Sequence, residues 1–186
     1  MASDRLVLRA TVGGLMMGHG LQKLKGSFGG PGLQGTEQAM GAMGMHPAKH
    51  QALAAALSET IGGGLTAAGL FNPLGPAMIT GVMAVAIKKV HLKNGVWVSG
   101  GGYEYNLTLI AAALALAAEG PGKLSLDGLF GKNRSGLKWA VVALALGLGS
   151  AAATLAISDR LAPLDPSSAG SVVEPADEEA SPPDDA

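Results

Sequence analysis

The composition of the chain is that of a membrane protein. Its 186 residues are 48% hydrophobic and 15% charged, with a formal net charge of −1, whereas a soluble domain has roughly 25% charged residues. The absence of cysteine excludes thiolate nucleophiles, disulfide exchange, iron–sulfur clusters and cysteine-ligated zinc.

Five apolar segments approach the length that crosses a bilayer core, about 20 residues at 1.5 Å of rise each. They are residues 6–24, 49–71, 73–91, 102–118 and 139–158. The first contains Arg9 and His19, and we interpret it as a retained helix because no cleavage site of the A-x-A type follows. A loop with a short helix over residues 36–43 comes next, and the turn residues Asn72 and Pro73 make the second and third segments a helical hairpin.

These segments predict an all-α integral membrane protein, a four-helix transmembrane bundle with a fifth transmembrane helix at its C-terminal side. Residues 1–120 are expected to form the four-helix domain, and residues 121–160 a basic loop and the additional helix. Residues 161–186 are acidic and rich in Pro, Ser and Ala, a composition that predicts disorder. The Lys and Arg residues divide almost equally between the two sides, so the positive-inside rule leaves the orientation open.

Ionisable side chains within the apolar segments are candidates for function, because each costs at least about 2.5–3.5 kcal/mol near the bilayer centre. Glu59 is the strongest candidate, since it lies well inside its segment and residues 62–64 are all glycine. Two interpretations remain open. Glu59 serves a proton relay or contacts a ligand, or it forms an ion pair with Arg9 or Lys23 that only holds the bundle together.

The other candidates lie nearer the helix ends. His19 and Lys23 are four residues apart and share a helix face, either inside a polar site or in the water-exposed interface. His91 ends the third segment. Glu104 begins the fourth, where the helix dipole alone accounts for a carboxylate.

Metal and nucleotide chemistry is not indicated by any motif. His46 and His50 are spaced four apart, but Pro47 lies between them in a loop-like context, so no metal site is predicted. The chain has no nucleotide-binding loop, hydrolase elbow or zincin motif, and no nucleic-acid partner is expected.

Four pieces of sequence occur in a fixed order between residues 5 and 118. They are LVLRATVGGLMMGHGLQKLKG, ALSETIGGGLTAAGLF, AVAIKKVHLKNG and GGGYEYNLTLI. In this order they resemble the DoxX family of small bacterial membrane proteins. The family pattern, carried over position by position, selects Arg9, His19, Gly20, Lys23, Glu59, Gly62, Gly63, His91, Gly102, Glu104 and Tyr105.

The resemblance implies a multi-pass protein of the bacterial inner membrane, linked to thiosulfate:quinone oxidoreduction or to an oxidoreductase complex of oxidative-stress defence. The expected partners are the lipid bilayer, redox proteins and a second copy of the chain. The alternative is a non-enzymatic scaffold or assembly factor whose buried charges form a structural ion-pair network.

The redox interpretation assigns a role to seven of the selected residues. The residues expected to be catalytic are Glu59, His19, His91 and Glu104. Those expected to bind the cofactor, a quinone, are Arg9, Lys23 and Tyr105. We expect Arg9, His19, Glu59, His91 and Glu104 to converge on one polar pocket, where a carboxylate and a histidine exchange the protons of quinone reduction.

Overall fold

The computed structural model describes residues 2–163, which form α-helices and turns without a β-strand. The helices are α1 (Ala2–Lys25), α2 (Gly32–Ala42), α3 (Ala48–Ala68), α4 (Leu74–Ala86), α5 (Glu104–Glu119), α6 (Leu126–Leu129) and α7 (Leu137–Arg160). The predicted all-α class is therefore confirmed, and each apolar segment corresponds to one long helix. Nearly all of the predicted acidic tail lies outside the described residues.

The chain leaves α3 at a glycine, and α4 then continues beyond its last α-helical residue. Gly69 terminates α3 in the left-handed conformation, with φ of 61°, which glycine adopts without steric cost. After Ala86, α4 continues through one π-helical turn (Ile87–His91) and one 3₁₀ turn (Leu92–Asn94). Because of this continuation, His91 lies at the far end of the same rod that starts at Leu74.

The long helices run between two ends of the bundle. Gly13 lies against Ala67 whereas Gly20 lies against Thr60, so α1 and α3 are antiparallel. The directions of the remaining helices bring residues 69–73 and 120–136 to one end, here called the α6 end. Residues 26–47 and 92–103 lie at the opposite end, the α2 end.

Small residues bring the helix backbones close together. A Cβ at Gly13 would lie only 2.6 Å from the carbonyl oxygen of Gly63, where α1 crosses α3. A Cβ at Gly147 of α7 would lie 2.7 Å from the Cβ of Thr80 in α4. Close crossings of this kind are typical of helices that associate within a membrane.

Small side chains fill the interior while large apolar ones cover the outside. The fully buried alanines are Ala52, Ala56, Ala113, Ala117 and Ala143. Residues at least half exposed include Leu15, Leu107, Leu146 and Ile157. Among the described residues, α7 is the one helix long and apolar enough to cross a membrane by itself, with a mean hydropathy of 2.1.

Candidate functional site

A cavity of about 370 Å³ lies near the α2 end of the bundle. Its volume falls within the roughly 300–1,000 Å³ that is usual for small-molecule sites. Five of the seven predicted site residues contribute to its wall, and they come from α1, α3, the π-helical turn after α4, and α5. They are His19, Lys23, Glu59, His91 and Tyr105.

Glu59 and Lys23 form an ion pair at this wall. The Lys23 Nζ atom lies 2.6 Å from Oε2 of Glu59, whose side chain is only 5% exposed. The pairing requires α1 and α3 to approach closely, and Gly20, one turn before Lys23, provides the space by packing against Thr60. Of the two partners considered for Glu59, the structure therefore selects Lys23, which balances a carboxylate that is costly to bury alone.

The two histidines of the cavity are both held through Nδ1. His91 Nδ1 lies 2.8 Å from the carbonyl oxygen of Gly101, and His19 Nδ1 lies 3.1 Å from Oε1 of Gln22. Because an oxygen of this kind only accepts, each Nδ1 carries the proton. In the neutral rings Nε2 is then free to accept a hydrogen bond or a proton.

Arg9 lies at the α6 end, outside the cavity. Its guanidinium group donates from Nη1 to the carbonyl oxygen of Pro121 at 2.8 Å and from Nη2 to that of Leu124. Arg9 precedes His19 by ten residues, which is on the order of 15 Å along a helix. The prediction that Arg9 shares a pocket with Glu59 is therefore wrong.

Glu104 lies near the cavity without lining it. It occupies the first turn of α5, and its backbone N–H donates to the carbonyl oxygen of Val96 at 2.8 Å. The next residue, Tyr105, contributes to the cavity wall instead. Glu104 thus occupies the helix start that its sequence position predicts, and its expected convergence with Glu59 in one pocket is wrong.

Comparison with known families assigns the segment that carries most of this site. The DoxX family profile matches residues 5–92, which include His19, Lys23, Glu59 and His91. Residues 5–92 are a DoxX domain. DoxX proteins are membrane-associated. No curated protein and no solved structure gave a match to the chain.

The DoxX match ends at Leu92, just after the π-helical turn that carries His91. Tyr105, which the resemblance also selected, therefore lies beyond the matched segment, as do α5 and α7. The wall of the cavity nevertheless includes Val98, Gly102 and Leu109 as well as Tyr105. The DoxX segment supplies most of the charged groups of the site, and later residues complete the enclosure.

Methionines form a large part of the wall, and sequence reasoning missed them. Five of the eight methionines in the chain line the cavity. They are Met16, Met40, Met43, Met45 and Met83. The run MGAMGM over residues 40–45 was the available signal, since flexible, polarisable thioethers are frequent on adaptable binding surfaces.

Two further polar residues of the wall were also missed as members of the site. The amide of Asn106 is buried and donates to the Sδ atom of Met83 at 3.4 Å. Lys89 pairs with Asp159 of α7 at 3.6 Å, which ties the cavity wall to the last helix. Asn106 interrupts an apolar segment two residues after Glu104, and that polar interruption was its signal.

A second polar network closes the α6 end of the bundle. The Asn72 side-chain amide donates to the carbonyl oxygens of Ala117 and Arg134 at 3.1 and 2.7 Å. The Asn72 backbone N–H donates to Oδ2 of the buried Asp127 at 3.0 Å, and Arg134 donates back to the Asn72 carbonyl oxygen at 3.1 Å. These contacts and those of Arg9 fasten the loop before α7 to the DoxX segment, so their role is structural.

The cavity combines an apolar wall with groups that exchange protons. Two imidazoles, one carboxylate–ammonium pair and the phenol of Tyr105 reach it from different elements. Such a set can donate hydrogen bonds to a carbonyl ligand and pass protons to it. Among the described residues, no three His, Asp or Glu side chains are grouped to hold a metal ion.

Proposed function

We propose that this DoxX protein is a multi-pass protein of the bacterial inner membrane that binds a quinone in the 370 Å³ cavity and takes part in its reduction or oxidation. The single observation that carries the proposal is the cavity itself. Its lining includes two histidines and the ion pair of Lys23 with the buried Glu59, beside a methionine-rich apolar wall.

The outside of the bundle supports the membrane part of the proposal. Leucines on α1, α5 and α7 are half exposed while alanines fill the interior, which reverses the pattern of a soluble helical protein. The glycine crossings of α1 with α3 supply contact in a solvent that gives no hydrophobic drive between helices. In this arrangement α1, α3, α4 and α5 form a four-helix transmembrane bundle, and α7 is a fifth span.

The cavity suits the two parts of a quinone ring. Its apolar wall matches the ring faces, and a quinone carbonyl accepts hydrogen bonds from an imidazolium Nε2–H or from the phenol of Tyr105. Reduction of a quinone to a quinol consumes two electrons and two protons. His19 and His91 would each give one proton to a quinone oxygen. Water would supply the two replacement protons, which Glu59 would take up and pass to the rings one at a time.

The electrons of this reaction would come from outside the chain. Without cysteine the protein cannot hold an iron–sulfur cluster or a redox-active thiol pair of its own. A reduced sulfur oxyanion, such as thiosulfate, or a redox partner protein is the donor we propose. The quinone would then leave as the quinol, carrying both electrons into the membrane.

The substitution Glu59→Gln tests this function. We expect it to lower quinone affinity or quinone-dependent turnover of the detergent-purified protein at least tenfold, because the relay group can no longer ionise. Glu119→Gln is the matched control, since that carboxylate is 61% exposed at the opposite end. Unchanged binding and turnover in a folded Glu59→Gln protein would contradict the proposed role.

A structural scaffold is the second candidate, and the 2.6 Å contact of Lys23 with Glu59 favours it. Exchanging the two residues, Lys23→Glu with Glu59→Lys, separates the two functions. A scaffold needs only the pair, so the double variant would keep both its thermal stability and its cellular role. A quinone site needs each group in place, so the double variant would fold and lose quinone binding.

A further inference from the structure

A second cavity of about 170 Å³ adjoins the proposed quinone cavity. The two cavities are adjacent and have five lining residues in common. The residues that line both are Met40, Met45, Ala55, Val82 and Val85. A ligand in the larger cavity can therefore extend into the smaller one past these flexible and apolar side chains.

The wall of the second cavity is apolar and uncharged. It is built mainly from α3, α4 and α7, and its lining contains no Lys, Arg, His, Asp or Glu. Its few polar side chains include hydroxyl and amide groups already bonded within the protein. Ser150 Oγ donates to the carbonyl oxygen of Gly147 at 2.8 Å, and Gln51 donates to that of His46 at 3.2 Å.

The second cavity opens on the apolar outer side of the bundle, which faces lipid in the proposed membrane arrangement. Ala54 of α3 and Ser150 of α7 are exposed and lie on its two sides. Leu53, next to Ala54 in sequence, and Leu57, three residues after it, are also exposed. A ligand entering here would come sideways from the bilayer rather than from water.

We propose that the second cavity holds the hydrocarbon chain of a membrane lipid whose polar head occupies the larger cavity. The inference rests on the proposed function for the identity of the head, a quinone ring, and adds the chain and its route of entry. The adjacency of the two cavities, with two methionines in the wall between them, and the contrast between a polar and an uncharged lining carry it. Burial of a flexible chain against apolar residues is favourable, and methionines adapt to its shape.

Thr154→Phe tests the inference, because Thr154 lines the second cavity and not the first. The probes are a decyl-substituted benzoquinone and the same ring without the chain. We expect the wild-type protein to bind the decyl compound at least tenfold more tightly. In Thr154→Phe we expect that advantage to disappear while the affinity for the chainless ring stays unchanged.

Two further variants make the result specific. Thr108→Phe, on an exposed face of α5 outside both cavities, should leave the affinities for both probes unchanged. Ser58→Leu fills the second cavity from α3 and replaces Thr154→Phe in the test if that variant does not fold. Equal affinity of the wild-type protein for both probes would overturn the proposed site for the hydrocarbon chain alone. The same conclusion would follow if variants in the second cavity still bound the decyl compound more tightly than the chainless ring. Binding of neither probe would overturn the proposed quinone function as well as the chain site.

Discussion

Arg9 is almost completely buried, with 5% of its surface exposed, yet no carboxylate forms a salt bridge with it in the described part of the chain. Its guanidinium group instead holds two carbonyl oxygens of the loop that leads to α6. The planar arrangement of several donors lets one side chain hold two acceptors at once. Arg9 therefore stabilises the α6 end by holding this loop against α1.

Replacing Arg9 with lysine tests this role. A lysine has one nitrogen and cannot satisfy both carbonyl oxygens, so we expect a loss of stability on the order of 1–3 kcal/mol. The readout is thermal unfolding in detergent. Arg5→Lys is the control because the Arg5 pair with Glu119 is exposed, and we expect a change within about 0.5 kcal/mol. Equal effects of the two substitutions would contradict the fastening role.

The close crossing of α1 and α3 requires a glycine on the face of α1 that contacts α3. A Cβ at Gly13 would run into the backbone of Ala67 and Gly63, whereas a Cβ at the adjacent Gly14 meets nothing within 4 Å. Gly13 therefore sets the distance between the two helices. Gly14, on an open face, does not.

We expect Gly13→Ala to destabilise the bundle by about 1–3 kcal/mol, because two backbones must move apart. Gly14→Ala should stabilise it by about 0.5–1 kcal/mol, because alanine restricts the unfolded chain without meeting a neighbour. Thermal unfolding of both variants in the same detergent measures the difference. Shifts of the same sign would show that the close crossing does not limit stability.

Sequence reasoning located the helices more completely than it located the site. Apolar segment length and the turn at Asn72 and Pro73 were sufficient to place the long helices. The π-helical turn that carries His91 was not foreseen, because hydropathy is insensitive to how a helix winds in its last turn. The buried Asp127 escaped notice for a related reason, since its partner Asn72 is distant in sequence and only the folded chain brings them together.

The part of the candidate site that could be predicted is the part that contains a charged side chain, because burying a charge in lipid costs free energy. Glu59 stood out because a carboxylate inside an apolar segment needs a partner, and Lys23 was one of the two partners considered. Arg9 was misplaced because a pattern of charges along helices does not say how deep each one lies. The methionines were missed because an apolar residue in an apolar helix looks the same whether it faces lipid or a cavity.

The two ends of the molecule differ: hydrogen-bond networks close the α6 end, and the large cavity lies near the α2 end. If the bundle crosses the membrane as proposed, the α6 end and the α2 end face opposite compartments. The natural absence of cysteine makes this directly measurable, because any introduced thiol is then the single reactive one. Ser135 at the α6 end and Ser99 at the α2 end are both exposed.

We expect a membrane-impermeant maleimide added to intact cells or sealed vesicles to label either Ser135→Cys or Ser99→Cys, but not both. Both should react after the membrane is opened with detergent, which controls for access to each thiol. Labelling of both variants in sealed vesicles would contradict an odd number of crossings between the two ends. The labelled variant also fixes the orientation that the Lys and Arg distribution leaves open.

The DoxX match ends at residue 92. The groups that exchange protons therefore lie in the family segment, whereas residues after it help to shape the ligand site. His19, Lys23, Glu59 and His91 lie within the matched segment, but part of the cavity in front of them is shaped by α5 and the turn before it, and α7 lines the adjoining second cavity. A protein that joined the same first 92 residues to other C-terminal helices would keep the proton-exchanging groups and present them to a differently shaped ligand. Transplanting residues 93–163 between two DoxX proteins should thus transfer ligand preference without transferring chemistry.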